Sequence, residues 1–166
     1  MQDPPLVPRA EAFAEHRHRH QFRRDGVTPY VEHPRAVMRI LRDELGVKDP
    51  EVLVAALLHD TIEDTNTDYD DVEGRFGRRV AEMVSSLTKD KRLPEARRER
   101  DYFARLARAP LGAKLCKVAD TLHNLRDADA SHRPKTVGKA RRLLRTFRGA
   151  RGTERAIDLL RDELER

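Results

Sequence analysis

Residues 52–64 read VLVAALLHDTIED, a run of apolar residues that passes directly into four ionisable side chains. Asp49 and Pro50 stand before the run as a good N-cap and first-turn pair, so a helix is predicted to begin there. Its first two turns are apolar on nearly all sides, which predicts that this helix lies in the centre of the core. Because buried charge is costly unless it is paired or bound to a metal, its polar end is either solvated or part of a site.

Helical periodicity continues on both sides of this segment. Apolar residues recur at helical spacing, prolines and glycines mark the breaks, and there is no convincing strand or internal repeat. We therefore predict an all-α fold, a compact single-domain bundle of about eight helices. The first nine residues contain three prolines and are predicted to form a flexible arm, with one domain over residues 10–166. The other predicted helices cover residues 10–23, a segment from Pro34 to Leu45, a segment from Asp68 that is interrupted at 74–77, a segment up to Ala109, and residues 113–128, 137–147 and 153–164.

The composition limits the compartment and the class of partner. The chain has 166 residues, a formal net charge of +5 and a pI of about 9.6, which favours anionic partners such as nucleic acids or phosphorylated small molecules. Its one cysteine, Cys116, excludes an internal disulfide and a cysteine-rich zinc site, and its apolar neighbours indicate packing rather than nucleophilic catalysis. With no stretch apolar enough for a membrane span, we expect a cytoplasmic protein without a membrane partner.

Histidine and acidic residues form a candidate site at the polar end of the central helix. His59 and Glu63 are four residues apart, as are Asp60 and Asp64, so each pair shares a helical face. With a second His and a second Asp from elsewhere in the chain, the site would offer two imidazoles and two carboxylates, a set that suits Mn, Fe, Zn or Mg. The residues that could complete the set are His33, directly before Pro34, and Asp120, on a later helix whose polar face also carries Asn124 and Asp127.

From the pattern alone, a metal site and an ordinary solvated helix end are evenly balanced. A second histidine-rich stretch, HRHRH at residues 16–20, looks like a metal-binding tract. His16 and His20 would share a helical face, but the arginines between them repel a cation. A basic, solvated helix is therefore the favoured interpretation of that stretch.

The order His33, His59-Asp60, Asp120 is that of the HD metal-dependent phosphohydrolase superfamily. The segments TPYVEHP, AALLHDTIEDT and AKLCKVADTLHNLRD closely resemble the hydrolase domain of RelA/SpoT proteins, especially the stand-alone small alarmone hydrolases. The resemblance runs from about residue 14 to residue 127. It implies an HD-type helical domain that holds one Mn²⁺ and removes the 3′-pyrophosphate of guanosine tetra- and pentaphosphate.

The resemblance also implies a role for each matching residue. His33, His59, Asp60 and Asp120 would bind the metal, while Glu63 and Asp64 match an acidic pair that orients or deprotonates the attacking water. The substrate would be bound by Arg23 and Arg24, one of which packs against guanine, by Asn124 in the nucleotide pocket, and by Lys91 close to the phosphates. The partner would then be a small nucleotide and not a nucleic acid.

The segment after Asp127 departs from the family. The small hydrolases usually place an Arg and a Tyr on the following helix, in contact with the substrate. Here that segment offers Lys139, Arg141 and Arg142 but no Tyr. Two alternatives therefore stay open: the same fold acting on another nucleotide, such as the 2′-phosphate of NADPH, and a non-catalytic nucleotide-binding domain.

Overall fold

The computed structural model describes residues 5–166, and the all-α prediction is confirmed over that range. Outside the helices, one isolated bridge joins Phe22 and Pro29. A π-helical segment, Ile40–Glu44, continues the second helix. The α-helices of the described part are α1 (Leu6–Arg17), α2 (Glu32–Arg39), α3 (Pro50–Leu58), α4 (Thr61–Asp64), α5 (Tyr69–Phe76), α6 (Arg78–Ser86), α7 (Glu95–Arg108), α8 (Leu111–Asp127), α9 (Arg133–Thr146) and α10 (Glu154–Leu164).

Helix α3 is the centre of the core, as predicted. Each residue from Val52 to Leu58 is buried, and α1, α2, α6 and α8 pack around the helix. Cys116 of α8 is also buried, and its Sγ lies 3.5 Å from the carbonyl oxygen of Val52. Burial raises the pKa of the Cys116 thiol, so the side chain is a packing group, in agreement with the prediction.

The predicted helix over residues 52–64 is broken at His59 and Asp60, which form a turn between α3 and α4. The break is stabilised locally because side chains take up carbonyl groups that the end of a helix leaves free. The Nδ1 of His59 donates to the carbonyl of Ala56 at 2.7 Å, and the hydroxyl of Thr61 donates to that of Leu58 at 2.7 Å. This break and a second one at Gly77, where φ is 90°, explain why more helices form than the eight we predicted.

The N-terminal prediction is wrong for residues 6–9, which form the first turn of α1 and not a flexible arm. Pro5 is the N-cap and Pro8 lies in the first turn, where the missing N–H of proline is not needed. Helix α1 also ends at Arg17 instead of residue 23, and His20 follows it with a φ of 70°. Residues 1–4 lie outside the described part.

The C-terminal helices complete the bundle by packing on α8. Arg126 of α8 binds Glu44 at 2.7 Å and Glu163 of α10 at 3.2 Å, which joins the π-helical segment after α2 to the last helix. Among the described residues, no helix has the length and apolar character needed to cross a membrane. The result is a bundle in which α2, α3 and α8 meet, and their meeting point carries the candidate site.

Candidate active site

The four predicted metal ligands converge. His33 comes from α2, His59 and Asp60 come from the turn after α3, and Asp120 comes from α8. The Nε2 of His33 lies 3.0 Å from Asp120 Oδ1 and 3.8 Å from Asp60 Oδ2. The Nε2 of His59 lies 3.1 Å from Asp60 Oδ2 and 3.7 Å from Asp120 Oδ1. Two imidazole nitrogens and two carboxylates therefore face a single point.

The environment of His59 fits a divalent cation at that point. Its Nδ1 donates to the carbonyl of Ala56, so in the neutral ring the lone pair is on Nε2, which is buried and makes no hydrogen bond within the described part of the chain. A bare lone pair that faces two carboxylates needs a positive charge between them. Burial lowers the pKa of His59, but Asp60 and Asp120 outweigh burial and raise the pKa well above its ordinary value, because their negative charges favour a positive charge at this point.

Neighbouring side chains orient the two carboxylates. The hydroxyl of Tyr30 donates to Asp60 Oδ2 at 2.5 Å, the Nζ of Lys117 donates to Asp120 Oδ2 at 2.8 Å, and the Nδ2 of Asn124 donates to Asp120 Oδ1 at 2.7 Å. Burial opposes ionisation of Asp120, but Lys117 and the two histidines hold its pKa well below the usual range. Both carboxylates are therefore ionised and pre-oriented, as ligands of a metal must be.

Glu63 and Asp64 lie beside this centre on α4. One carboxylate oxygen each from Asp60, Glu63 and Asp64 lies within 4.8 Å of the other two. Burial raises the pKa of Glu63, and one of its oxygens accepts a hydrogen bond from the backbone N–H of Lys89 at 2.7 Å. Asp64 is instead paired with Lys91 at 2.6 Å. Of the two acidic residues, Glu63 has the environment of a general base.

Two of the predicted substrate-binding residues, Arg23 and Arg24, line a cavity on one side of the centre. Arg23 is largely buried and donates to Asn124 Oδ1 at 3.2 Å and to Asp127 Oδ2 at 2.8 Å. Arg24 is exposed and lines the same cavity, which has a volume of about 360 Å³ and also borders His33. Because Asn124 bonds to both Arg23 and Asp120, the loop that carries Arg23 is linked directly to the candidate metal centre.

Lysines line the other side. A cleft of about 220 Å³ contains the four candidate ligands together with Lys89, Lys117 and Lys139, while Lys91 borders an adjacent cleft. The Nζ atoms of Lys89 and Lys117 lie 5.1 Å and 5.4 Å from the centroid of the Tyr102 ring. Burial, followed by repulsion from the other lysines, lowers the pKa of Lys139. Lys117 is paired with Asp120 at 2.8 Å and Lys89 with Glu99 at 2.6 Å, whereas Lys139 makes no ion pair within the described residues, so its charge is available to an anion.

Helix α9 presents one of its basic residues to the site in the place where the family has an Arg and a Tyr. Lys139 lines the cleft of the candidate ligands, whereas the guanidinium of Arg142 packs over the ring of Phe103 at 4.2 Å. Arg141 is exposed and borders none of the clefts described above. Of the three basic residues that the sequence offered here, Lys139 is the one placed at the site.

Some residues at the site were not predicted from the sequence. Tyr30 belongs to the quoted TPY segment, and Lys117 and His123 lie three residues on either side of Asp120. The Nδ1 of His123 lies 2.7 Å from the Nδ1 of His33, and burial, together with the nearby His33 and Arg23, lowers the pKa of His123 to about 4. Helical spacing from Asp120 was the signal that could have identified the two residues on α8.

The HRHRH tract divides between surface and interior. His16 and His20 are exposed, in agreement with a solvated basic stretch. His18 is buried against the ring of Tyr30, with ring centroids 4.9 Å apart, and its Nδ1 is 2.8 Å from Gln21 Oε1. Burial lowers the pKa of His18. The solvated interpretation is therefore wrong for His18, which packs behind the candidate metal centre.

The chain is similar in sequence to an HD domain family and to named pyrophosphohydrolases. The HD domain family matches residues 10–149. The guanosine-3′,5′-bis(diphosphate) 3′-pyrophosphohydrolase MESH1 of Mus musculus is 50% identical over 119 residues, which are 71% of this chain and 66% of that protein. MESH1 of Danio rerio is 43% identical over 155 residues, covering 88% of this chain and 84% of that protein.

A solved structure supports the same assignment. It is described as a metazoan ortholog of SpoT that hydrolyses ppGpp, and it matches with a TM-score of 0.87 at 32% sequence identity. The match covers 99% of this chain and 97% of that one. The chain therefore belongs to the HD-domain family, in the group that contains the MESH1 pyrophosphohydrolases.

Proposed function

We propose that this protein is a Mn²⁺-dependent hydrolase that converts guanosine tetra- and pentaphosphate into GDP or GTP and pyrophosphate. The observation that carries the proposal is the convergence of His33, His59, Asp60 and Asp120 on one point beside Glu63. The relatives named for the same reaction support the choice of substrate. The cytoplasm remains the proposed location, from the single buried cysteine.

The donor set suits the proposed metal. Two imidazole nitrogens and two carboxylates are compatible with Mn²⁺, Fe²⁺ or Zn²⁺, and the resemblance to alarmone hydrolases favours Mn²⁺. A divalent ion bound there supplies positive charge to a phosphoryl oxygen and makes water more acidic. With two carboxylates in the set, the charge of the ion is balanced before the substrate arrives.

Glu63 accepts a proton from the attacking water in this proposal. Its raised pKa makes it a stronger base than an ordinary carboxylate, and its second oxygen is not occupied by the hydrogen bond from Lys89. The water oxygen attacks the phosphorus that is bonded to the 3′-oxygen of the ribose. The bond between that phosphorus and the 3′-oxygen breaks and pyrophosphate leaves. The 3′-oxygen takes up one proton from water to become a hydroxyl, and Glu63 returns the proton it accepted to the solvent. Asp64 is held by Lys91 and orients Glu63 and the attacking water.

The two sides of the site divide the substrate between them. The cavity beside Arg23 and Arg24 receives the guanine base, because an arginine guanidinium can stack on an aromatic ring. Lys89, Lys117 and Lys139 on the opposite side offset the negative charge of the phosphates. To stack on guanine, the guanidinium of Arg23 must break or reorient its hydrogen bonds to Asn124 and Asp127.

The first test is an incubation of metal-stripped protein, reloaded with Mn²⁺, with guanosine tetraphosphate. GDP, pyrophosphate and orthophosphate are resolved by ion-exchange chromatography, and the Asp120→Ala variant serves as the control that lacks one ligand. We expect GDP and pyrophosphate in equal amounts, dependent on Mn²⁺. Orthophosphate as the released product would contradict the proposed bond cleavage.

The same assay separates the alternatives. If Mn²⁺ binds but guanosine tetraphosphate is not hydrolysed, NADPH is tested next, and orthophosphate release from it would assign a 2′-phosphatase. If nucleotides bind without turnover of either substrate, the protein is a non-catalytic nucleotide-binding domain.

A further inference from the structure

His33 has a partner on each side of its ring. Its side chain is 1% exposed, with Nε2 3.0 Å from Asp120 Oδ1 and Nδ1 2.7 Å from the Nδ1 of His123. The two imidazole rings are tilted by 34°, with centroids 4.9 Å apart. In the described part of the chain, His123 is the one hydrogen-bond partner of the Nδ1 of His33.

The distance between the two rings limits where hydrogen atoms can lie. Two imidazole nitrogens 2.7 Å apart share one hydrogen, because two N–H groups would repel each other and two lone pairs would leave a buried group unsatisfied. A nitrogen that binds a metal carries no hydrogen. If Nε2 of His33 binds the metal, its hydrogen must be on Nδ1, and His123 must be the acceptor.

We infer that His123 is a positioning residue that accepts a hydrogen bond from Nδ1–H of His33 and so keeps Nε2 of His33 free for the divalent cation. The inference rests on the metal site of the proposed function. Metal-binding histidines usually donate their second N–H to a carboxylate, a carbonyl or water. Here the acceptor is a neutral imidazole, which orients His33 without adding negative charge next to a polyanionic substrate.

Helix α8 fixes the position of His123 relative to the candidate metal centre. His123 follows Asp120 by three residues, so a single helical turn presents both a candidate ligand and the acceptor that orients another ligand. His123 also lines the cavity of Arg23 and Asp127, between the metal centre and the proposed base-binding side. A change at His123 would therefore alter the metal ligand His33 without touching the cation itself.

The test compares Mn²⁺ affinity across variants, measured from free Mn²⁺ by electron paramagnetic resonance in an equilibrium titration. His123→Leu removes the acceptor, His123→Asn keeps an oxygen acceptor near the position of Nδ1, and His16→Leu removes an exposed histidine as the matched control. We expect His123→Leu to weaken Mn²⁺ binding by roughly 10–100-fold, the usual effect of losing such a partner. His123→Asn and His16→Leu should bind Mn²⁺ about as tightly as the wild type.

Two results would overturn the inference: His123→Leu binding Mn²⁺ as tightly as the wild type, or His123→Asn binding it as weakly as His123→Leu. Thermal unfolding of the metal-free variants checks that they are folded, and His123→Ala replaces the leucine variant if it is not. In the diamagnetic Zn²⁺ form, ¹⁵N spectra should show the hydrogen on Nδ1 of His33 and on Nε2 of His123. The reverse tautomers would also exclude the inference.

These measurements do not depend on the substrate. A wild-type protein that binds Mn²⁺ but leaves guanosine tetraphosphate intact contradicts the proposed reaction, and the affinities still decide the role of His123. A wild-type protein that binds no divalent ion contradicts both.

Discussion

The two halves of the candidate site are built in different ways. The metal half consists of His33, His59, Asp60 and Asp120. It is carried by the core helices α2 and α8 and by the turn after α3, and its two histidines are almost completely buried. The substrate half lies at the surface. It consists of the loop at residues 22–29 and of Lys89, Lys91 and Lys139. Phe22 and Val27 of that loop are 55% and 77% exposed. The comparison indicates that chemistry is fixed by the core while recognition is left to adjustable side chains.

The largest effect should come from breaking the metal half. His59→Ala removes a buried ligand and leaves two carboxylates facing each other without a cation, so we expect loss of stoichiometric Mn²⁺ and loss of hydrolysis. The fall in rate should exceed the roughly 10²–10⁴-fold contribution of a general base, because the ion is lost as well. Metal content by atomic emission and product release measure the two effects. A variant that still holds one Mn²⁺ per chain would refute the ligand assignment.

Glu63 lies at the boundary of the two halves. Glu63→Gln keeps the size of the side chain and an oxygen that can accept from the N–H of Lys89, but it removes the base. We expect Mn²⁺ affinity to be retained while kcat falls by about 10²–10⁴-fold. Single-turnover kinetics with metal-loaded protein measure this fall, and an unchanged kcat would remove Glu63 from the proposed mechanism.

The substrate half should respond more weakly. Lys139→Met keeps most of the aliphatic side chain and removes the charge. Loss of a charge-assisted hydrogen bond costs about 1.5–3 kcal/mol, so we expect kcat/KM to decrease by roughly 10–100-fold. Arg141→Met on the same helix is the control, because Arg141 is exposed and borders none of the clefts at the site. Equal effects of the two substitutions would show that net charge, and not the position of Lys139, is responsible.

The smallest effect should come from the turn that leads into the substrate loop. His20 is exposed and has a φ of 70°, a left-handed conformation that glycine adopts without a steric penalty. His20→Gly should therefore raise the free energy of unfolding by about 0.5–1 kcal/mol, measured by urea denaturation. Ala12→Gly, at an exposed position within α1, should lower it by about 1 kcal/mol. A destabilised His20→Gly variant would contradict this interpretation of the turn.

The metal half could be predicted from the sequence because each of its residues follows from residue type, helical spacing and the resemblance. The break at His59 and Asp60 could not be located in this way. It depends on the hydrogen bonds from His59 and Thr61 to carbonyls of α3, and composition does not reveal these bonds. Helical spacing from Asp120 could have placed His123 on the same face, but its contact with His33 of α2 depends on how the two helices pack and is not visible in the sequence.

In the substrate half, the residue types were evident but their orientations were not. The sequence offered Lys139, Arg141 and Arg142 together. The buried positions Thr136, Ala140 and Leu143 set the rotation of α9 and direct Lys139 to the cleft. Lys91 was expected near the phosphates, and its pairing with Asp64 depends on how the loop before α7 folds against α4. Its role in binding the substrate stays a prediction.

The uninterrupted burial of Val52–Leu58 also has a consequence for how this protein can diverge. Apolar residues in α3 can replace one another provided that the volume of the core is maintained. An inserted or deleted residue is different, because each residue advances the helix by about 100° and 1.5 Å. One such change upstream of His59 would rotate the turn away from His33 and Asp120. The segment is therefore free to drift in composition but is held to a constant length.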